Sequence, residues 1–238
     1  MKKLRSLFAV LLALTMLLAG CGGESDEDFL EEDYEAEEQV EEQAEDVPEA
    51  KDLSLGVLAD GVYTNEYLDV QFGPEGWTLL GADQLQDALA NANELLQGTE
   101  LEEQLEGLTQ VMDMQGTAPD GVSNVNVVYT KMGAAERLAN LAIDEDAAMD
   151  AVLAQQDTLI SSYESAGISV TSMDKVDVTY RGETRTGIRT LGSVQGIDLC
   201  IIQVYERTLG SYSVVVTSTS TDEATALETL SLFEALNP

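Results

Sequence analysis

Residues 24–52 are almost wholly acidic or small, as in Glu31-Glu32-Asp33-Tyr34-Glu35-Ala36-Glu37-Glu38. So little apolar surface cannot offset the entropy of ordering the chain, so the segment is expected to stay disordered and to be stretched by its own charge. About 29 residues at ~3.4 Å each would reach up to about 100 Å. A spacer is the plain reading. Weak binding of calcium or of a cationic partner is the alternative, although Asp26-Glu27-Asp28 lacks the ligand alternation and glycine of an EF-hand loop. What folds must come after this segment, and what precedes it is a separate device.

That device is an N-terminal leader. Lys2, Lys3 and Arg5 stand ahead of an apolar run from Leu7 to Leu18, the charged and apolar regions of a secretory signal. The run is roughly a dozen residues, against the ~20 that a spanning helix needs. Leu18-Ala19-Gly20-Cys21, followed by Gly22 and Gly23, looks like a lipobox: small residues precede the cleaved bond and a thiol follows it directly. The resemblance implies cleavage between Gly20 and Cys21 and a diacylglycerol thioether on Cys21. A simple secreted chain or an uncleaved anchor is the alternative. Two or more acyl chains, at about 0.8 kcal/mol per buried methylene, would anchor the chain stably. The expected location is the extracytoplasmic face of a bacterial membrane, with the membrane as partner through the lipid on Cys21.

Residues 1–20 hold three of the 11 basic residues and none of the 45 acidic ones, leaving 8 against 45 and a formal net charge of −37 in the mature chain. Such a polyanion repels nucleic-acid phosphates and anionic headgroups, so nucleic acid is not an expected partner. The chain has no histidine, which excludes Ser-His-Asp and Cys-His catalysis and every His-ligated metal site. With Cys21 given to lipid, Cys200 has no partner for an intramolecular disulfide. It alternates with Ile202 and Val204 along a strand pattern. That reads as a core position, with no basic neighbour to activate the thiol.

The remaining stretch, 53–238, suits one domain. Strand signals lie at Val62 to Thr64 and Tyr67 to Phe72, with a turn at Gly73-Pro74-Glu75-Gly76 before Trp77. A helix with Asp83 as N-cap should bury Leu85, Ala88, Leu89, Ala92 and Leu96. Thr99 and Glu102 form a capping box for a short second helix. Strands follow at Val111 to Gln115 and Val125 to Lys131, around a Pro119-Asp120-Gly121 turn. Asp146 to Ala166 reads as one long helix with Met149, Val152, Leu153, Ile160 and Tyr163 inward, stopped by Gly167. A meander follows: Val176 to Tyr180, Arg185 to Val194 and Ile197 to Arg207, with turns at Gly182 and Gly196. In the last strand, Ser211 to Thr219, Tyr212, Val214 and Val216 alternate with Ser211, Ser213 and Thr217, the pattern of a strand at the sheet's end with one wet face. Ser220 and Glu223 cap a closing helix that docks through Ala226, Leu230 and Phe233. Hairpin-length links mean antiparallel pairing, so the class is α+β, a central antiparallel sheet flanked by helices.

The stretch from Gly61-Val62-Tyr63-Thr64 to Val70-Gln71-Phe72, followed by Pro74-Glu75-Gly76-Trp77, resembles the opening of PsbP-like domains, in which a strand pair ends in a Pro-x-Gly-Trp turn before a helix. The later order of strand pair, long helix, meander and closing helix is similar too. The resemblance covers most of 53–238 and implies the same antiparallel sheet with flanking helices. The fold hosts unrelated roles, and none of the family's functional residues matches a position here.

The chain has no Gly-rich phosphate loop, no Gly-x-Ser-x-Gly elbow and no CxxC; no cofactor and no metal is expected. Acidic pairs are too abundant to single out a glycosidase-like dyad. Trp77, the one tryptophan, is either a ligand platform or a turn anchor. Lys175, Arg181, Arg185, Arg189 and Arg207 place five of the eight mature cations in the meander. Arg185 and Arg189, four apart, share a strand face if no bulge intervenes. With Arg181 they form a candidate patch for an anionic ligand or partner; the alternative is a stripe paired with nearby carboxylates, worth little each. The expected function is a non-catalytic, membrane-anchored binding or accessory module, with an envelope protein as a candidate partner. The rival is an envelope enzyme acting on wall or nutrient polymers through carboxylate or serine chemistry.

Overall fold

The computed structural model describes residues 54–85, 110–132, 144–206 and 212–237. The leader, Cys21, the acidic linker, the helix of Asp83 beyond Leu85, the capping box of Thr99 and Glu102, and Arg207 lie outside the described residues.

Eleven strands are described: β1 (Val57–Ala59), β2 (Val62–Asn65), β3 (Val70–Phe72), β4 (Thr78–Gly81), β5 (Gln110–Thr117), β6 (Asn124–Lys131), β7 (Ser169–Tyr180), β8 (Glu183–Val194), β9 (Ile197–Glu206), β10 (Tyr212–Ser220) and β11 (Glu234–Ala235). Seven form one antiparallel sheet in the order β4-β5-β6-β10-β9-β8-β7, and four form a smaller one in the order β1-β2-β3-β11. Three helices accompany them: α1 (Glu145–Ala154), α2 (Gln156–Ser165) and α3 (Glu223–Ser231). The class is α+β, an antiparallel sheet with helices against it, as the sequence implies.

The meander closes through two-residue turns. Arg181-Gly182 joins β7 to β8 and Gln195-Gly196 joins β8 to β9, with φ positive at all four residues (54°, 75°, 52° and 80°). Positive φ at both central positions matches the twist of the flanking strands, and glycine takes it without a Cβ clash.

The large sheet is covered on both faces. On the near face, Val127 and Tyr129 of β6, Cys200, Ile202 and Val204 of β9, and Val214 and Val216 of β10 pack with Ala226 and Leu230 of α3. Tyr63, Val70 and Phe72 of the small sheet join the same cluster. On the far face two smaller clusters lie apart. Tyr163 of α2 packs with Ile168, Val194, Leu199 and Ile201 near β7–β9, and Leu85 packs with Leu80, Met112 and Val128 near β4–β6.

Four expectations change. Tyr67 to Asp69 forms a turn after β2 rather than strand, and β3 begins at Val70. Asp83 is not a cap: the chain is already helical at 82, and Gln84 Oε1 accepts from the Gly81 amide at 3.2 Å. The closing helix is capped by Asp222, which accepts from the Thr225 amide at 2.9 Å, instead of by Ser220. The long helix is two helices, with Asp144 capping the first and a break at Gln155 (φ −99°, ψ 14°). The buried apolar residues of the two helices are Met149, Leu159 and Tyr163, and the apolar-free Gln155-Gln156-Asp157 stands at the break.

The largest correction concerns β10. It lies in the interior of the sheet between β6 and β9, and its polar positions Thr217 and Thr219 are 5% and 4% exposed. Alternation that looks like one wet face is, in this strand, burial on both faces.

Candidate functional site

Two groups of buried polar side chains sit on opposite faces of β5 and β6. The near-face group starts from a bulge. Met112 pairs with Val128 and Met114 with Val127, so Asp113 has no residue opposite it and is turned toward the small sheet. Its carboxylate accepts from the Tyr63 hydroxyl at 2.6 Å, from the Asn65 amide nitrogen at 2.7 Å and from the Gly56 amide at 2.9 and 3.0 Å. Asn65 Nδ2 also lies 2.8 Å from the Tyr129 hydroxyl, and its Oδ1 accepts from the Leu68 amide at 2.9 Å. A Cβ at Gly56 would stand 2.2 Å from the Tyr63 ring, so only glycine lets this amide reach the carboxylate.

Burial pushes the Asp113 carboxyl above its ordinary range, and the three donors pull it part of the way back. Burial, and then the Asp113 charge, raises the Tyr63 and Tyr129 phenols. Both stay neutral donors and acceptors. The group ties β2, the turn after it and the segment before β1 to the bulge in β5. Its donors converge on one carboxylate, and the arrangement is that of a staple between the two sheets.

The meander cations come next. Arg185 and Arg189 do share a face, since the β7–β8 register runs unbroken from Asp174↔Arg189 to Val178↔Arg185. Arg185 Nη1 donates to Glu206 at 2.8 Å, with both side chains nearly buried at 12% and 7% exposure. Arg181 donates to the Leu68 carbonyl at 2.7 Å and lies 3.8 Å from the same Glu206. Arg189 donates to Asp174 through Nε and Nη2 at 3.0 Å each, and to Glu223 of α3 at 2.7 Å; those hydrogen bonds raise its pKa further. Lys175 pairs with Asp150 of α1 at 2.7 Å and, opposite Ile188, belongs to the far face. The meander's cations are therefore divided between two faces, and three guanidinium groups meet three carboxylates of this chain.

Cys200 is buried beside Ile202 and Val204, and burial pushes its thiol up to about 11, so it stays protonated near neutral pH. Trp77 is half-buried, edge-on to Phe72 at 5.2 Å and 88°, and Phe72 in turn meets Phe233 at 4.6 Å. That is the geometry of a turn anchor. Among the described residues, no group of three or more Cys, Asp or Glu is placed to hold a metal ion.

The far-face group is a row. Register places Gln115 of β5 opposite Asn126 of β6, Asn126 opposite Thr217 of β10, and Thr217 opposite Gln203 of β9. All four are buried, at 6%, 1%, 5% and 4% exposure. Among the described residues, neither amide atom of Asn126 has a hydrogen-bond partner, nor has Oε1 of Gln115 or, one row further on in β8, Oγ1 of Thr190. Gln203 Oε1 has only the Tyr205 hydroxyl, at 3.5 Å. Neither buried group is evident from the sequence alone. Asp113 had a signal, a charge between Met112 and Met114 inside a strand pattern. Asn126 and Thr217 had alternation, which reads as solvent exposure.

No model of a known protein family matches this chain, and no curated protein does. Among solved structures it is similar to the solution structure of cyanobacterial PsbP (CyanoP) from Synechocystis sp. PCC 6803. The likeness covers 77% of this chain and 98% of that one, at a TM-score of 0.39 and 12% identity.

Proposed function

We propose that the chain is a non-catalytic binding or accessory module, held at the extracytoplasmic face of a bacterial membrane by lipid on Cys21 and set off from it by the acidic segment. The observation that carries the binding half is a contrast inside the described residues. The ionisable groups best placed for chemistry are occupied: Asp113 by three donors, Arg185 by Glu206, Arg189 by Asp174 and Glu223. Among the described residues, the Asn126 amide and Oε1 of Gln115 on the far face are not. Uncharged amides and hydroxyls bind and orient; they do not by themselves transfer protons or attack. What supports the anchoring half is the apolar run ending in Leu18-Ala19-Gly20-Cys21.

The test has two arms. Cells expressing the chain are fed a clickable palmitate analogue. The label should appear in the parent and vanish in Cys21→Ser, with the protein moving from the membrane to the soluble fraction; equal labelling of the two would refute the anchor. Mild in-cell cross-linking of the parent then asks for a partner. One recurrent, stoichiometric envelope protein makes the module an accessory subunit, and an empty pull-down leaves small-ligand binding as its role.

A further inference from the structure

We propose that the outer edge of β7 is a docking site for a basic, extended segment of a partner protein, which adds to the large sheet as a further strand. The proposal rests on the reading of this chain as a binding module and gives that module a class of partner.

β7 ends the large sheet, and among the described residues it pairs with β8 alone. Its register shifts once, between Val170 and Ser172, and then runs unbroken from Ser172↔Leu191 to Tyr180↔Glu183. Such an edge turns a row of backbone N–H and C=O groups outward. The sheet's other end is closed: β4 lies against β1, and a Cβ at Gly81 would stand 3.3 Å from Leu58. Edges are commonly guarded by lysine, but the lysine of β7 is drawn onto α1. Lys175 Nζ meets Asp150 at 2.7 Å and donates to the Asp146 carbonyl at 3.1 Å.

Open carboxylates flank this edge on both faces, and they select the occupant. On the far face stand Asp177, exposed on β7 itself, and Asp146 and Asp150 of α1, whose side chains are 76% and 70% exposed. On the near face stand Asp174 and, from α3, Glu223, both joined to Arg189 and both open to solvent. Five carboxylates against Lys175 and Arg189 leave a formal charge of −3 along the edge. A second copy of this chain would bring the same negative edge, and the acidic segment 24–52 would bring more, so like charge opposes both. A strand rich in Lys or Arg meets the edge with its backbone. Its side chains, alternating between the faces, meet carboxylates on either one. Main-chain hydrogen bonds hold such a strand, and the flanking charges choose which strand is held.

The full chain is purified from membranes in a mild detergent, and intact mass reads its acylation on the same sample. The probe is a fluorescent peptide, Thr-Lys-Lys-Val-Thr-Val-Lys-Lys-Thr, which carries lysines for both faces. One control has Glu for each Lys; another is N-methylated at its central residues, so that it keeps its charge and cannot pair as a strand. The parent should bind the basic peptide saturably, with amide exchange slowed within 172–180, and should not bind the Glu peptide. N-methylation should weaken binding by about 10-fold or more, as expected for lost main-chain hydrogen bonds. The double variant Asp150→Asn, Asp177→Asn should weaken it by about 3-fold or more, the scale of exposed charge pairs, and remain folded. No saturable binding, or parental affinity in the double variant, overturns the proposal. So does equal binding of the N-methylated peptide, or exchange slowed in 24–52 instead of in β7, since capture would then be by charge alone. An acylated chain that ignores the peptide refutes this edge and leaves the anchor standing; an unacylated chain that binds it does the reverse.

Discussion

Asp113 and Asn126 sit on adjacent strands of one sheet, both buried, on opposite faces, and their surroundings differ completely. Around Asp113, donors from β2 and from the segment before β1 converge, and each polar atom of the group has a function in joining one sheet to the other. Around Asn126, the row crosses four strands, and among the described residues neither amide atom of Asn126 nor Oε1 of Gln115 has a hydrogen-bond partner. The Asp113 group is structural, because removing any member strands the others. The Asn126 amide makes no hydrogen bond among the described residues. Location in the core does not by itself tell the two apart; the partner list does.

The near face should therefore break first. Arg185→Ala leaves Glu206 nearly buried with Arg181, at 3.8 Å, as its remaining cation among the described residues, and should cost about 3 kcal/mol in urea unfolding, the range for breaking a buried pair. Asp113→Asn keeps the shape but turns an acceptor into a donor facing three donors, and should cost about 2 kcal/mol. Arg189→Ala should cost about 1 kcal/mol or less, since Asp174 and Glu223 are 42% and 38% exposed and can rehydrate. Near-equal losses for Arg185→Ala and Arg189→Ala would contradict the division between buried and exposed pairs.

The smallest effect is one of pH. The Asp113 carboxyl titrates above its ordinary range in the folded chain, so between its unfolded and folded values the native state holds the extra proton. The stability this contributes is fully present below the unfolded value and is lost as pH rises through the folded one. The parent should accordingly melt higher as pH falls through the folded-state value, and the gain should shrink in Asp113→Asn. Asp120, held low by hydrogen bonds from Ser123 and Val122 although its partial burial opposes them, acts in the opposite sense at more acid pH. There the gain should turn over. A pH response identical in parent and Asp113→Asn would remove Asp113 from this account.

Much of this architecture is legible in the residues. Arg181-Gly182 and Gln195-Gly196 announce the meander, and the alternation of Cys200, Ile202 and Val204 announces a core face that the structure bears out. The pairing of distant strands is not legible. β10 follows the meander in sequence yet inserts between β9 and β6, and that placement turns Thr217 from an expected solvent position into a buried one. The helix break at Gln155 is not legible either, because Met149, Leu159 and Tyr163 keep one apolar stripe across it. The guanidinium groups looked like a patch because their carboxylate partners, Asp174, Glu206 and Glu223, lie on other elements. Ion pairs across strands, like a bulge that turns one aspartate inward, depend on register, which the local sequence does not carry.

The contrast between the two faces is tested most directly by urea unfolding of Asn126→Leu beside the parent. The account predicts a midpoint equal to or above that of the parent, because an amide that reaches nothing is replaced by a side chain suited to the valines around it. A loss of about 1 kcal/mol or more would mean that Asn126 is held by partners the folded chain requires, and that its two faces do not differ in kind.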